Sequence, residues 1–252
     1  MSLLSSWLWL VLALAPLLFL ERWIHRHVQG LGLLLTRDPD LALILYSLFF
    51  LPGIIVHEGS HWLMATVLLV RAPKISVWPR RQADGTLRLG YVETEKVDFL
   101  RESLIGAAPL IAGCGAILLI GYRRLAVGPI GQALAAGDLG RVIQALGSTL
   151  TASDILIWLY LIFAISNAMM PSASDRRAWP LLLLLLTVLG GLIYWAGFGQ
   201  ILALRLVDPL ASGLRVIASA FSLTVLIDLA AAGLVWAVEA GLSRMMGMRV
   251  EY

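Results

Sequence analysis

The sequence predicts an all-α membrane protein of about six transmembrane helices, with a short β-hairpin in the loop after the second helix. Three observations carry this expectation. Of 252 residues, 60% are hydrophobic and only 14% are charged, whereas soluble domains carry about 25% charged residues. Six apolar runs follow one another: Leu3 to Leu20, Leu41 to Val56, Leu104 to Ile120, Ile155 to Met170, Pro180 to Phe198 and Val216 to Val238. They approach or reach the roughly 17–25 residues that cross a hydrocarbon core as a helix, and lipid gives free backbone groups no partner, so helix is the default. The third observation is the longest polar segment, 72–102. In it Lys74-Ile75-Ser76-Val77-Trp78 and Thr86-Leu87-Arg88-Leu89-Gly90-Tyr91-Val92 alternate on either side of Ala83-Asp84-Gly85, the pattern of a hairpin.

The elements are expected at about 3–21, 41–71, 103–122, 154–172, 180–198 and 214–238. No Lys or Arg precedes the first run, no small-residue cleavage site follows it, and Glu21-Arg22 come directly after. It therefore reads as a retained helix rather than a signal peptide. The loop that follows holds Gly30, Gly32 and Arg37-Asp38-Pro39-Asp40, with Leu31 to Leu35 resting at the membrane interface. Residues 123–153 read as a polar connection. No segment is long enough for a separate soluble domain, and no internal repeat is evident. The expectation is one transmembrane domain, 1–252, whose site-bearing core covers about 41–179.

Net charge is +3 and the pI about 9.3. The basic residues sit in short loops, where they orient helices and meet lipid headgroups, so no nucleic-acid role is read. Cys114 is the one cysteine. It allows no internal disulfide and no CxxC motif, and reads as a small packing residue. Strict alternation of six spans puts the N-terminus and the hairpin on one side, with 11 Lys and Arg against 8 on the other. The expected location is the cell (inner) membrane, multi-pass, with the hairpin side cytoplasmic.

His57-Glu58-Gly59-Ser60-His61 is an HExxH motif inside an apolar helix. Residues i and i+4 share a helix face, so both imidazoles can grip one metal ion, while Glu58 can take a proton from a water activated by it. Ionisable side chains at membrane depth are costly and point to function. A third ligand is needed. On the alternating scheme His25 and His27 end the first helix on the wrong side and read as interfacial. Asp175 follows the fourth helix on the motif's own side, after Pro171, which should break that helix. Asp228, mid-way along the last helix, is the rival. It could be a ligand, a partner of a ligand His, or a polar clasp between helices, the last two being favoured.

These residues resemble the site-two protease family of intramembrane zinc metalloproteases, which pairs HExxH with a later Asn-x-x-Pro-x-x-x-x-Asp-Gly motif. His57, Glu58 and His61 match the first motif. Asn167 and Asp175 match the Asn and Asp of the second at the same offset, with Pro171 one position later and Arg176 in place of the Gly. The resemblance covers the second to fourth helices. It implies Zn2+ held by His57, His61 and Asp175, Glu58 as catalytic base, and Asn167 as a polar group near the reacting carbonyl. The expected function is cleavage of transmembrane segments of other membrane proteins by metal-activated water. The expected partners are a transmembrane substrate, the bilayer and a regulatory membrane protein. The alternative is a non-proteolytic zinc-binding membrane scaffold. A transporter is disfavoured, because HExxH has no second copy in a corresponding half.

Overall fold

The computed structural model describes residues 2–72, 74–78, 80–81, 87–88, 90–248 and 250. Its elements are α1 (Leu3–Thr36), α2 (Pro39–Phe49), α3 (Leu51–Val67), β1 (Lys74–Ser76), β2 (Arg80–Arg81), β3 (Leu87–Arg88), β4 (Tyr91–Glu93), α4 (Phe99–Arg124), α5 (Val127–Ala135), α6 (Leu139–Leu150), α7 (Ile155–Ser166), α8 (Trp179–Ile193) and α9 (Gly199–Met246). Among the described residues, four helices are long and apolar enough to cross a membrane, or up to six if each of two bent pairs is one span. The fold is thus all-α and membrane-like, and its apolar helices point to a multi-pass protein.

Helix ends follow local chemistry. The Asp38 side chain accepts from the backbone N–H of Asp40 and Leu41 ahead of Pro39 in the first turn. Asp98 does the same for Leu100 and Arg101 at the start of α4, and such caps satisfy donors that a helix leaves open. The caps and the hydrogen bonds of Asp98 to Arg101 and Leu100 hold its carboxyl below the usual range. α1 does not stop near residue 21. Glu21, Arg22 and Arg26 end an apolar run without ending a helix, and termination waits for Arg37 in the left-handed conformation.

The hairpin expectation is met in its arms. β1 pairs antiparallel with β4 (Lys74↔Glu93, Ile75↔Val92, Ser76↔Tyr91), and β2 with β3 (Arg80↔Arg88, Arg81↔Leu87). Its expected turn, Ala83-Asp84-Gly85, lies outside the described residues. The 123–153 connection contains two helices, α5 and α6, and α6 meets α7 at 93°.

Contacts give the helix directions and correct the alternating scheme. Arg124 and Asp154 approach to 3.8 Å at one end of α4 and α7. At the other end Gly106 lies against the Asp175 carbonyl, so α4 and α7 are antiparallel. α3 runs parallel to α7, since Tyr160 donates to the Phe49 carbonyl and His57 meets the Ala168 carbonyl. Trp9 donates to Ser222 and His27 lies 3.9 Å from Glu239, so α1 and α9 are parallel. Gly121 packs on Leu223, whereas Asn167 bonds Asp228, which aligns α9 with α7. The N-terminus therefore lies at the end opposite the hairpin, not beside it. The scheme fails at α2, which runs back along α1: Ala42 meets Gly32 and Tyr46 meets His25. The chain then bends by 69° into α3, so this pair begins and ends on the hairpin side.

Helices approach closely where side chains are absent. A Cβ on Gly53 of α3 would strike the Ala164 carbonyl of α7, and one on Gly113 of α4 would strike Met169. Small residues at such crossings replace the hydrophobic drive that lipid removes. Among the described residues three buried clusters fill the interior, the smallest of them Ala65, Val70 and Ile105. One gathers Leu17, Ile117, Ile162 and Phe221 from α1, α4, α7 and α9. Another gathers Ile24, Tyr46, Phe50, Ile54 and Phe163 beneath the site.

Candidate metal centre

α3 turns His57 and His61 to one side, and their Nε2 atoms stand 3.2 Å apart. Each ring is fixed from behind. His57 Nδ1 lies 2.6 Å from the Ala168 carbonyl and His61 Nδ1 lies 2.8 Å from the Ile105 carbonyl. A carbonyl only accepts, so each Nδ1 is the donor and each Nε2 keeps its lone pair for the space between the rings. Asp175 closes the set, with Oδ1 at 3.3 Å from His61 Nε2 and Oδ2 at 3.7 Å from His57 Nε2. Ligands about 2.0–2.1 Å from a tetrahedral ion are roughly 3.3 Å from one another. The three residues, whose ligand atoms lie within 4.8 Å of one another, thus fit a metal ion in both spacing and donor type.

Asp175 is brought there by the end of α7. A helix continuing past Ser166 would need a donor from residue 171 to the Asn167 carbonyl, and Pro171 has none. It would also need Ser172 N–H for the Ala168 carbonyl, but that group donates to Asp175 Oδ2 at 2.7 Å instead. The Ser172 hydroxyl bonds the same oxygen at 2.6 Å. The chain leaves the helix after Ser166 rather than at Pro171, and Gly106 of α4 leaves room for the Asp175 backbone. Burial works against the ionised Asp175, but the neighbouring His61 and the hydrogen bonds from the Ser172 N–H and hydroxyl outweigh it and hold the carboxyl below its ordinary range. Asp175 is partnered by histidines; Arg176 turns to the Ser172 carbonyl.

Glu58 is buried beneath Gly90 of the hairpin. It lines, with His57, His61 and Asp175, a cavity of about 1030 Å³ that also reaches Val92, Thr94 and Arg177. Asn167 lies on the cavity wall too. Its amide donates to the Phe163 carbonyl at 2.9 Å and to Asp228 Oδ1 at 3.1 Å, which commits both protons. Asp228, fully buried, also accepts from Ser166 at 3.4 Å. It is therefore a clasp between α9 and the end of α7, and not part of the His57–His61–Asp175 group.

The sequence expectation put His25 at the end of the helices away from the motif. It lies in this cavity, with Nε2 3.0 Å from the Asn167 carbonyl and Nδ1 taking the Tyr46 hydroxyl. The signal that could have found it is Pro171. Four residues after Asn167, it leaves a carbonyl that something else must satisfy. His27 stacks on Trp23 with ring centroids 3.7 Å apart and faces Glu239, away from the centre. Cys114 is buried among apolar side chains, as expected.

No protein-family model, no curated protein and no solved structure matches the chain.

Proposed function

We propose that the chain is an intramembrane zinc metalloprotease that cleaves transmembrane segments of other membrane proteins. One observation carries this reading: two imidazole nitrogens and a carboxylate converge at tetrahedral spacing, directly beside a buried glutamate, within a cavity of an otherwise apolar helix assembly. Zinc held there supplies Lewis acidity and makes water acidic enough to lose a proton near neutrality. Glu58 accepts that proton as general base and can pass it to the leaving amine. His57 and His61 hold the ion, with tautomers set by the Ala168 and Ile105 carbonyls.

The substrate is a membrane helix that must first unwind, because its carbonyls are hydrogen-bonded internally. β4 offers an extended edge: Val92 and Thr94 line the cavity while β1 occupies the opposite edge. Strand addition there would hold the substrate open beside Glu58. We also place the centre on the cytoplasmic side of the cell (inner) membrane. With α1 running toward the hairpin, Arg22, Arg26 and Arg37 join that side, leaving Arg123, Arg124, Arg141, Arg205 and Arg215 on the other. This is a larger asymmetry than simple alternation gave.

A second reading, a non-proteolytic zinc-binding scaffold, is favoured by one feature. Both amide protons of Asn167 are spent on Phe163 and Asp228, so this side chain is not free to polarise a substrate carbonyl. The deciding experiment is metal analysis of purified protein and of Glu58→Gln, with a cleavage assay on a panel of membrane helices. Zinc in both with cleavage by the wild type alone supports the protease. Zinc in both without cleavage by either supports the scaffold, and no zinc in either overturns both.

A further inference from the structure

We infer that His25 is a positioning residue for the metal centre, and that it acts by supplying the donor that Pro171 lacks. This rests on the metal-centre reading above and extends the site to α1, a helix outside the two motifs. Asn167 and Ala168 are consecutive, and where α7 breaks their carbonyls are met by imidazoles from two other helices. His25 from α1 takes the first at 3.0 Å, and His57 from α3 takes the second at 2.6 Å. Open carbonyls at membrane depth need partners, and losing the bond to His25 removes one of the contacts that fix how this turn is rotated. Rotation moves the Ala168 carbonyl, which is the group that fixes the ring of His57 and leaves its Nε2 toward His61 and Asp175.

The roles at His25 are defined. Its Nε2 must donate, since the Asn167 carbonyl only accepts, so Nδ1 carries the lone pair and accepts from the Tyr46 hydroxyl. Glu21 Oε1, at 3.9 Å from Nε2, is too far to compete for that proton. The chain Tyr46 to His25 to Asn167 thus joins α2, α1 and α7 behind the centre. Phe50 packs beside it, 5.1 Å from His25 between ring centroids. Partners that orient metal ligands typically change affinity about 10–100-fold when removed.

The test compares His25→Ala, His25→Gln and Tyr46→Phe with the wild type, by zinc retention against a chelator. Glutamine places an amide N–H near the position of Nε2 and keeps the bond to the Asn167 carbonyl. His25→Ala should lose about 10–100-fold in zinc affinity, and His25→Gln should recover most of it. Tyr46→Phe should lie between them, because the tautomer is no longer enforced. Imidazole nitrogen NMR provides a readout independent of zinc. Protonation of His57 Nδ1 should be well defined in the wild type and His25→Gln, and averaged between the two nitrogens in His25→Ala. Equal losses in Ala and Gln, or an unchanged His57 spectrum in His25→Ala, would overturn the inference. A wild type that binds no zinc would sink the metal reading alone, leaving the NMR comparison to decide the role of His25.

Discussion

Gly90 of the hairpin and Glu58 of α3 are in such close apposition that a Cβ on Gly90 would stand 2.7 Å from Glu58 Cγ and 2.8 Å from its Oε1. The hairpin therefore roofs the proposed base. Gly90→Ala should push Glu58 aside while leaving the metal ligands in place. Turnover should fall by tenfold or more, on the order expected when a base leaves its aligned position, with zinc content unchanged. Loss of zinc in step with activity would mean that the strand serves folding and not Glu58.

Gly106 makes the corresponding contact for the third ligand. Its missing side chain admits the Asp175 carbonyl, which is backbone and cannot swing away. Gly106→Ala should displace Asp175 and weaken zinc retention about tenfold or more. Circular dichroism of the variant should retain the helical signal, because α4 keeps its other contacts. Wild-type zinc affinity in this variant would remove Asp175 from the ligand set.

The two aspartates make opposite predictions. Asp175→Asn should release zinc readily to a chelator. Asp228→Asn should keep zinc and lower thermal stability, since it disturbs a buried bond to Asn167 whose loss costs about 1–3 kcal/mol. His57→Ala and His61→Ala should behave as Asp175→Asn does. The reverse pattern for Asp175 and Asp228 would reassign the third ligand.

Acid should strip the metal, because imidazole and carboxylate bind only when deprotonated. The folded Asp175 carboxyl lies below its ordinary value. Its contribution is full above about pH 4, the usual carboxylate range, and is lost only as pH falls through the lower folded value. A release midpoint above about pH 4 would therefore report the imidazoles and not Asp175. Zinc content measured after dialysis across a pH series locates that midpoint; retention that improves toward acid would contradict the ligand set.

The direction of α1 is open to labelling. In a Cys114→Ala background, single cysteines at Ser2, Lys96 and Arg141 can be probed with an impermeant thiol reagent in intact cells. Ser2 and Arg141 should react and Lys96 should resist. Resistance of Ser2 together with Lys96, with Arg141 alone reacting, would restore the alternating scheme, and reaction of Lys96 alone would invert the molecule.

Much of the fold was legible in the sequence because hydrocarbon imposes length and composition on each crossing. Each of the six apolar runs falls mainly on helix, and the alternation around Asp84-Gly85 marks the hairpin arms. His57, Glu58 and His61 were legible from a spaced motif inside an apolar run, and Asp175 from its place after Pro171 on the motif's own side. What escaped were matters of direction and partnership. Alternation assumes that every apolar run crosses, and α2–α3 does not. That one exception reversed α1 and hid His25. The Asn167–Asp228 bond joins residues 61 positions apart, and no periodicity within either helix announces it.

The break after Ser166 has a further consequence. Pro171 is neither the base nor a ligand, yet the hydrogen that its nitrogen does not carry leaves the Asn167 carbonyl without its helical donor. The next acceptor falls vacant because Ser172 turns to Asp175. Two imidazoles from different helices fill these vacancies, and each spends one nitrogen in doing so. The lone pair left to His57 is thus decided by covalent bonding four residues beyond the helix cap. A change at Pro171 would be felt first as a change in which atom of a distant ring is available.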